Sequence, residues 1–166
     1  MPNKSRNLIR AALMSALCLL LTRVVTIPVP TGYVNLGDCA VLMSAWLLGP
    51  WYGGMAAGIG TMLADLLSGY VLYAPATFLI KFLMAAAASV LFDLAKRRKN
   101  TLFKLVGAVA AEAIMAAGYF VYESAFLKLG AAAAASVPAN LLQGVVGAIT
   151  GLFAISALDK HIARWT

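Results

Sequence analysis

An all-α membrane bundle of six transmembrane helices, with both termini cytoplasmic, is the fold class this sequence predicts, and three observations predict it. The chain is 63% hydrophobic and 11% charged, with a mean hydropathy of +0.89, too apolar for a surface that faces water on all sides. Six apolar stretches, bounded by glycine, proline or charge, use nearly all of its 166 residues. The basic residues gather in short groups beside those stretches, as membrane topology requires. Since a helical span takes about 20 residues, a single integral membrane domain over residues 1–166 is expected.

Helix one is expected over 7–27. Lys4, Arg6 and Arg10 ahead of it resemble the start of a secretory signal, but no A-x-A site follows. Leu17 also precedes Cys18 where a lipoprotein cleavage site needs a small residue, so the helix is read as retained. Residues 28–38 carry two prolines and two glycines, which marks either a shaped lid or an ordinary connector with aromatic anchors. Helices two and three, over 38–49 and 53–71, are separated by Gly49-Pro50-Trp51-Tyr52-Gly53-Gly54 alone. They read as a tight helical hairpin or a bent pair. Helix four is expected over 75–95 and helix five over 102–128. The alanine tract 131–135 is expected as a helix start or tight turn, and helix six over 136–159.

Orientation follows from charge. Lys4, Arg6 and Arg10 precede helix one; Lys96, Arg97, Arg98, Lys99 and Lys104 join helices four and five; Lys160 and Arg164 follow helix six. Six crossings place all three groups on one side, which the positive-inside rule makes cytoplasmic, whereas five would split them.

The same clustering argues against nucleic acid as the partner, despite a net charge of +7. Cys18 and Cys39 show neither CxxC nor histidine spacing, so no metal site or disulfide is expected. Enzymatic acid-base work is disfavoured. His161, the single histidine, lies at the cytoplasmic end, and no Ser-His pair or nucleotide motif is present. No cofactor is expected.

Chemistry therefore rests on six polar residues inside the apolar stretches: Asp65, Lys81, Glu112, Glu123, Asn140 and Gln143. An ionisable group in hydrocarbon is tolerated mainly when it faces protein, water or a ligand. With a rise of about 1.5 Å per residue, all but Glu112 fall near one level in the outer half of the membrane. Helical spacing aligns Glu112, Ala116, Tyr119 and Glu123 on one face, and Asn140, Gln143, Gly144, Gly147 and Gly151 on another. A small-molecule cup is the leading reading. Lys81 serves either as counter-ion to Asp65 or Glu123, or as a ligand contact. Asn140 and Gln143 either bridge helices or bind ligand. Asp38 can cap helix two or pair with Arg23. Glu112, the deepest, is expected as a protonated carboxylic acid or in a structural pairing rather than as a ligand contact. Tyr33, Tyr70, Tyr73, Tyr119 and Tyr122 gather at the outer face, as membrane anchors or as stacking surface for an aromatic ligand. Ala12 with Ala16, and Gly54 with Gly58, are small-x-x-x-small pairs whose commoner meaning is internal packing.

Together these residues resemble the substrate-binding S components of energy-coupling-factor (ECF) vitamin transporters. The resemblance is carried by Ala12-x-x-x-Ala16, Thr31-Gly32-Tyr33-Val34-Asn35-Leu36-Gly37-Asp38, and Gly49-Pro50-Trp51-Tyr52-Gly53-Gly54. To these add Ala64-Asp65-Leu66-Leu67-Ser68-Gly69-Tyr70, Tyr73-Ala74-Pro75 followed by Lys81, and Pro138-Ala139-Asn140-Leu141-Leu142-Gln143-Gly144. It implies a multi-pass subunit of a bacterial plasma membrane. Such a subunit captures a small vitamin from outside and partners a transmembrane T component and two cytoplasmic ATPase subunits. The resemblance is nearest to members for pyridoxine (vitamin B6) or hydroxymethylpyrimidine, with riboflavin members next. It implies substrate contacts from Tyr33, Asn35 and Asp38 on the lid side and from Tyr73, Lys81, Tyr119, Glu123, Asn140 and Gln143 in the cup. Ala12 and Ala16 would be the T-component docking face.

Overall fold

The computed structural model describes residues 4–29, 32–98 and 102–162; Thr31 of the first connector, and Lys99 and Arg164 of the basic groups, lie outside the described residues. Five α-helices run along the chain: α1 Lys4–Val24, α2 Gly37–Leu67, α3 Ala74–Arg98, α4 Leu102–Val121 and α5 Val137–Ile162. A π-helical turn, Tyr122–Phe126, extends α4, and a 3-10 helix, Gly130–Ser136, leads into α5 where the alanine tract had been read as a helix start or turn.

The count of five rather than six has a local cause. Expected helices two and three are both contained in α2, whose backbone leaves helical geometry at Gly49 with φ +80°. Ser44 Oγ donates to the Gly53 carbonyl at 3.0 Å, although in a straight helix nine residues would separate them by about 13 Å. The halves 37–48 and 50–67 therefore double back on each other, the tight hairpin rather than the bent pair. Gly49 supplies the left-handed backbone, and Pro50 begins the second half without needing an N–H donor. At Gly53 a Cβ atom would lie 2.5 Å from the Ser44 carbonyl oxygen, so only glycine permits the approach.

The first connector also departs from an all-α reading. It contains an antiparallel hairpin, β1 Thr26–Val29 and β2 Gly32–Asn35, with Thr26 opposite Asn35 and Ile27 opposite Val34. Each strand is too short to show a period in the sequence.

Four helical stretches, Lys4–Val24, Ala74–Arg98, Leu102–Phe126 and Gly130–Leu158, are long and apolar enough to cross a membrane. In the bundle α2 packs on α1, α3 and α5, and α4 packs on α3 and α5. Large apolar side chains such as Leu13, Leu79, Ile149 and Phe153 face outward, while Asp38, Lys81, Glu123 and Gln143 are buried. Hydrocarbon outside and polar groups inside is the arrangement a bilayer favours. Toward the end away from the β hairpin the interior is apolar, with Trp46 stacked on Phe92 at 5.8 Å and Leu42, Met84 and Ile155 fully buried. Gly54 and Gly58 lie against the rings of Phe82 and Phe78, so this pair serves internal packing. Ala12 and Ala16 are instead exposed on α1.

Candidate functional site

A cavity with about 560 Å³ of empty space, its opening included, lies between the β hairpin and the helices beneath it. Each wall follows its element's periodicity. Tyr33 and Asn35, two apart on β2, point to the same side. Thr61 and Asp65 lie one turn apart on α2; Tyr73, Thr77 and Lys81 descend at four-residue steps into α3; Tyr119 and Glu123 repeat that spacing on α4 and its π turn. Asn140 and Gln143 enter from α5, while Thr22 of α1 and Tyr70 complete the lining.

Eight of the nine expected contact residues line this cavity: Tyr33, Asn35, Tyr73, Lys81, Tyr119, Glu123, Asn140 and Gln143. Asp38 does not. Its side chain is fully buried beneath the cavity, where it forms an ion pair with Lys81 Nζ and accepts from Gln143 Nε2 at 2.7 Å. Asp38, rather than Asp65 or Glu123, is thus the counter-ion of Lys81. Nor does Asp38 cap α2 or pair with Arg23, which is exposed; both of its oxygens are drawn to α3 and α5 instead.

Gln143 links floor to lid. Its carbonyl oxygen accepts from both the backbone N–H and the side-chain amide of Asn35, each at 3.0 Å, while its own amide donates to Asp38. The bridging reading therefore holds for Gln143, and the residue also lines the cavity. Met115, which sequence reasoning passed over, contributes a sulfur 3.1 Å from Lys81 Nζ and 3.4 Å from Gln143 Nε2.

Higher in the cavity the tyrosines form a connected set, with ring centroids 5.2 Å apart for Tyr33 and Tyr70, 6.2 Å for Tyr70 and Tyr73, and 6.5 Å for Tyr73 and Tyr119. Such tilted and edge contacts are favourable for aromatic rings. Tyr33 donates to Asp65 Oδ1 at 2.9 Å, and Tyr73 donates to Glu123 Oε1 at 3.2 Å. The Tyr119 and Thr77 hydroxyls share a bond of 3.0 Å. Ser136 of the 3-10 helix donates to the other Glu123 oxygen. Burial, with the Glu123 carboxylate beside it, pushes the Tyr73 phenol up to about 12. Burial and Asp65 raise Tyr33 as well. Both phenols therefore remain hydrogen-bond donors at neutral pH.

Thr22, Thr61, Asp65, Tyr70 and Thr77 line the cavity without having been counted as contacts. Asp65 and Tyr70 carried a signal, a charge in an apolar helix and an aromatic beside it, whereas threonines in membrane helices carry none. Glu112 lies deeper, against Gly144 and Gly147, and no partner bonds either of its oxygens. Of the two expectations for Glu112, the structural pairing is not made among the described residues. It lines a second, almost wholly apolar cavity with Val109, Leu141 and Val145.

Chemically the site can enclose a small polar molecule between aromatic faces and pair its polar groups. Residues 3–160 match the family model described as the S component of the ECF-type riboflavin transporter. A protein of Pyrococcus woesei described as an uncharacterized protein in the gap 3′ region is 34% identical over 133 residues, 78% of this chain and 86% of that one. A solved structure described as the S component of a bacterial ECF transporter superposes with a TM-score of 0.71 at 20% identity, over 95% of this chain and 98% of the other.

Proposed function

We propose, from the premise that this chain belongs to the family of ECF-type riboflavin transporter S components, that its cavity captures a B-type vitamin from outside the cell for uptake. The chain is a transport subunit and not an enzyme. The observation that carries the reading is the cavity itself: polar groups from all five helices, the β hairpin and the adjoining turns converge on one open space inside an apolar bundle. Polar residues acting purely as glue between helices would leave no such space.

Riboflavin is the first substrate reading, on the family's description. Pyridoxine or hydroxymethylpyrimidine is the second, on the sequence's resemblance to members assigned to those substrates. In either case Tyr33 and Asn35 act from the lid. Tyr73, Lys81, Tyr119, Glu123, Asn140 and Gln143 act from the cup, with tyrosine rings stacking on the ligand. Asp38 supports the site by holding Lys81 in place.

We further infer six membrane crossings, counting the halves of α2 separately, with both termini in the cytoplasm of a bacterium and the β hairpin outside. Ala12 and Ala16, exposed rather than packed inside the bundle, suit close approach by a helix of the T component, with two ATPase subunits supplying the energy.

Isothermal titration of the purified chain with a panel of B vitamins tests the capture function. Tight binding of riboflavin or pyridoxine is expected, and the panel separates the two. Binding to none of them sinks the proposal. Replacing Asn140 by Leu is expected to leave a folded chain with weakened binding, since no bond from this side chain holds the floor network together.

A further inference from the structure

The hydrogen bonds lining the cavity are unequally spent. Of its four tyrosine hydroxyls, three are engaged: Tyr33 on Asp65, Tyr73 on Glu123 and Tyr119 with Thr77. The cation in the lining, Lys81, is committed to Asp38 and to the Met115 sulfur. Both Glu123 oxygens accept bonds, from Tyr73 and Ser136. Among the described residues the Tyr70 hydroxyl and the Asn140 amide, which can donate or accept, are left without a bond, and the acceptor-only group left unmet is a carboxylate oxygen. Asp65 is 7% exposed and its Oδ2 has no hydrogen-bond partner among the described residues, nor has the Thr22 hydroxyl, which can donate as well as accept, and both residues face the same space. A buried acceptor without a donor is costly, and the cost is recovered when a donor arrives.

Charge points the same way. Among the described residues the lining carries two carboxylates, Asp65 and Glu123, against the one lysine. An incoming phosphate or carboxylate would have to compete with Asp38 for that lysine and to lie near the other two acids. Were both acids neutral, the only cation would still be spent on Asp38. A ligand presenting N–H or O–H groups, uncharged or cationic, meets neither obstacle and supplies what Asp65 Oδ2 lacks.

We propose that this cavity selects uncharged or cationic, donor-rich molecules and excludes phosphate esters and carboxylates, with Asp65 as the specificity-determining residue; the proposal rests on the capture function above. Asp65 bonds the β hairpin through one oxygen and offers the other to the ligand. A ligand donor on Oδ2 is therefore one residue removed from Tyr33 of the lid.

The test is titration of the purified full chain with two matched pairs, riboflavin against riboflavin phosphate and pyridoxine against pyridoxine phosphate. Whichever parent binds, its phosphate ester is expected to bind at least about tenfold more weakly, as befits an uncompensated charge in a partly buried site. Asp65→Asn, which keeps an acceptor for Tyr33 but lowers the acceptor strength toward the ligand, is expected to weaken binding of the parent by about tenfold or more. Its circular dichroism and elution volume should match those of the unmodified chain. An ester within tenfold of its parent overturns the proposal, as does an Asp65→Asn variant with unchanged affinity. Should that variant not fold, the comparison of parent with ester on the unmodified chain still decides. Silence toward all four compounds overturns the capture function itself, a result distinct from equal binding of parent and ester.

Discussion

Lys81 shows how a single residue's role can be half legible. A lysine in an apolar helix announces a buried partner, and the carboxylates on neighbouring helices at its level, Asp65 and Glu123, are the natural candidates. The partner is Asp38, 43 residues away and at the start of α2, because the fold-back at Gly49 and the β hairpin bring that helix end beneath the cavity. Removing one member of a buried ion pair leaves the other charge uncompensated. Lys81→Met is therefore expected to destabilise the chain by about 3–5 kcal/mol, read as a lower midpoint for loss of the monomer peak on heating in detergent. Changing Asp38 to Leu in the same chain should recover part of that loss, since the lone carboxylate is removed while the Gln143 amide loses its acceptor. Equal stability of the single and double variants would mean that the pair does not hold the floor.

At the scale of elements, the fold-back in α2 depends on two glycines for different reasons. Gly49 needs its left-handed φ, yet a Cβ there would meet nothing within 4 Å; Gly53 has ordinary helical geometry but would push a Cβ into the Ser44 carbonyl. Gly49→Ala should therefore cost only backbone strain, about 1–3 kcal/mol. Gly53→Ala must part the two halves of α2 and should cost more, about 3 kcal/mol. Thermal midpoints of the two variants give the order, and a reversed order would argue against a tight hairpin. The Gly49-Pro50 pair and the glycines after it were readable as a break. That the break is a full reversal was not, because the same residues suit a bend as well, and the choice shows only in the contact of Ser44 with Gly53. The π turn 122–126 is similar: it places Glu123 over the cavity, and nothing in its composition distinguishes it from the helix that precedes it.

Across the whole molecule, large apolar side chains face outward while Asp38, Asp65, Lys81, Glu112 and Glu123 are buried, so stability depends on a bilayer or detergent, and orientation becomes testable. In a background with Cys18 and Cys39 replaced by alanine, a cysteine introduced at Arg98 should react with an impermeant maleimide only after the cells are opened, and one at Leu72 in intact cells. The opposite pattern would invert the proposed topology. Membrane class, the approximate extents of α3 and α5, the start of α4, and the stripes carrying Tyr119 with Glu123 and Asn140 with Gln143 were determined by the sequence alone. Hydropathy accumulates residue by residue, and helical spacing is a local property. Only the tertiary structure decided that Asp38 leaves the cavity to hold Lys81, that Gln143 joins lid to floor, that residues 26–29 and 32–35 pair as strands, and that Asp65, Thr22, Thr61 and Thr77 meet in one lining. Those outcomes depend on contacts between residues distant along the chain, and no local pattern encodes which buried donor will face which acceptor once the helices pack.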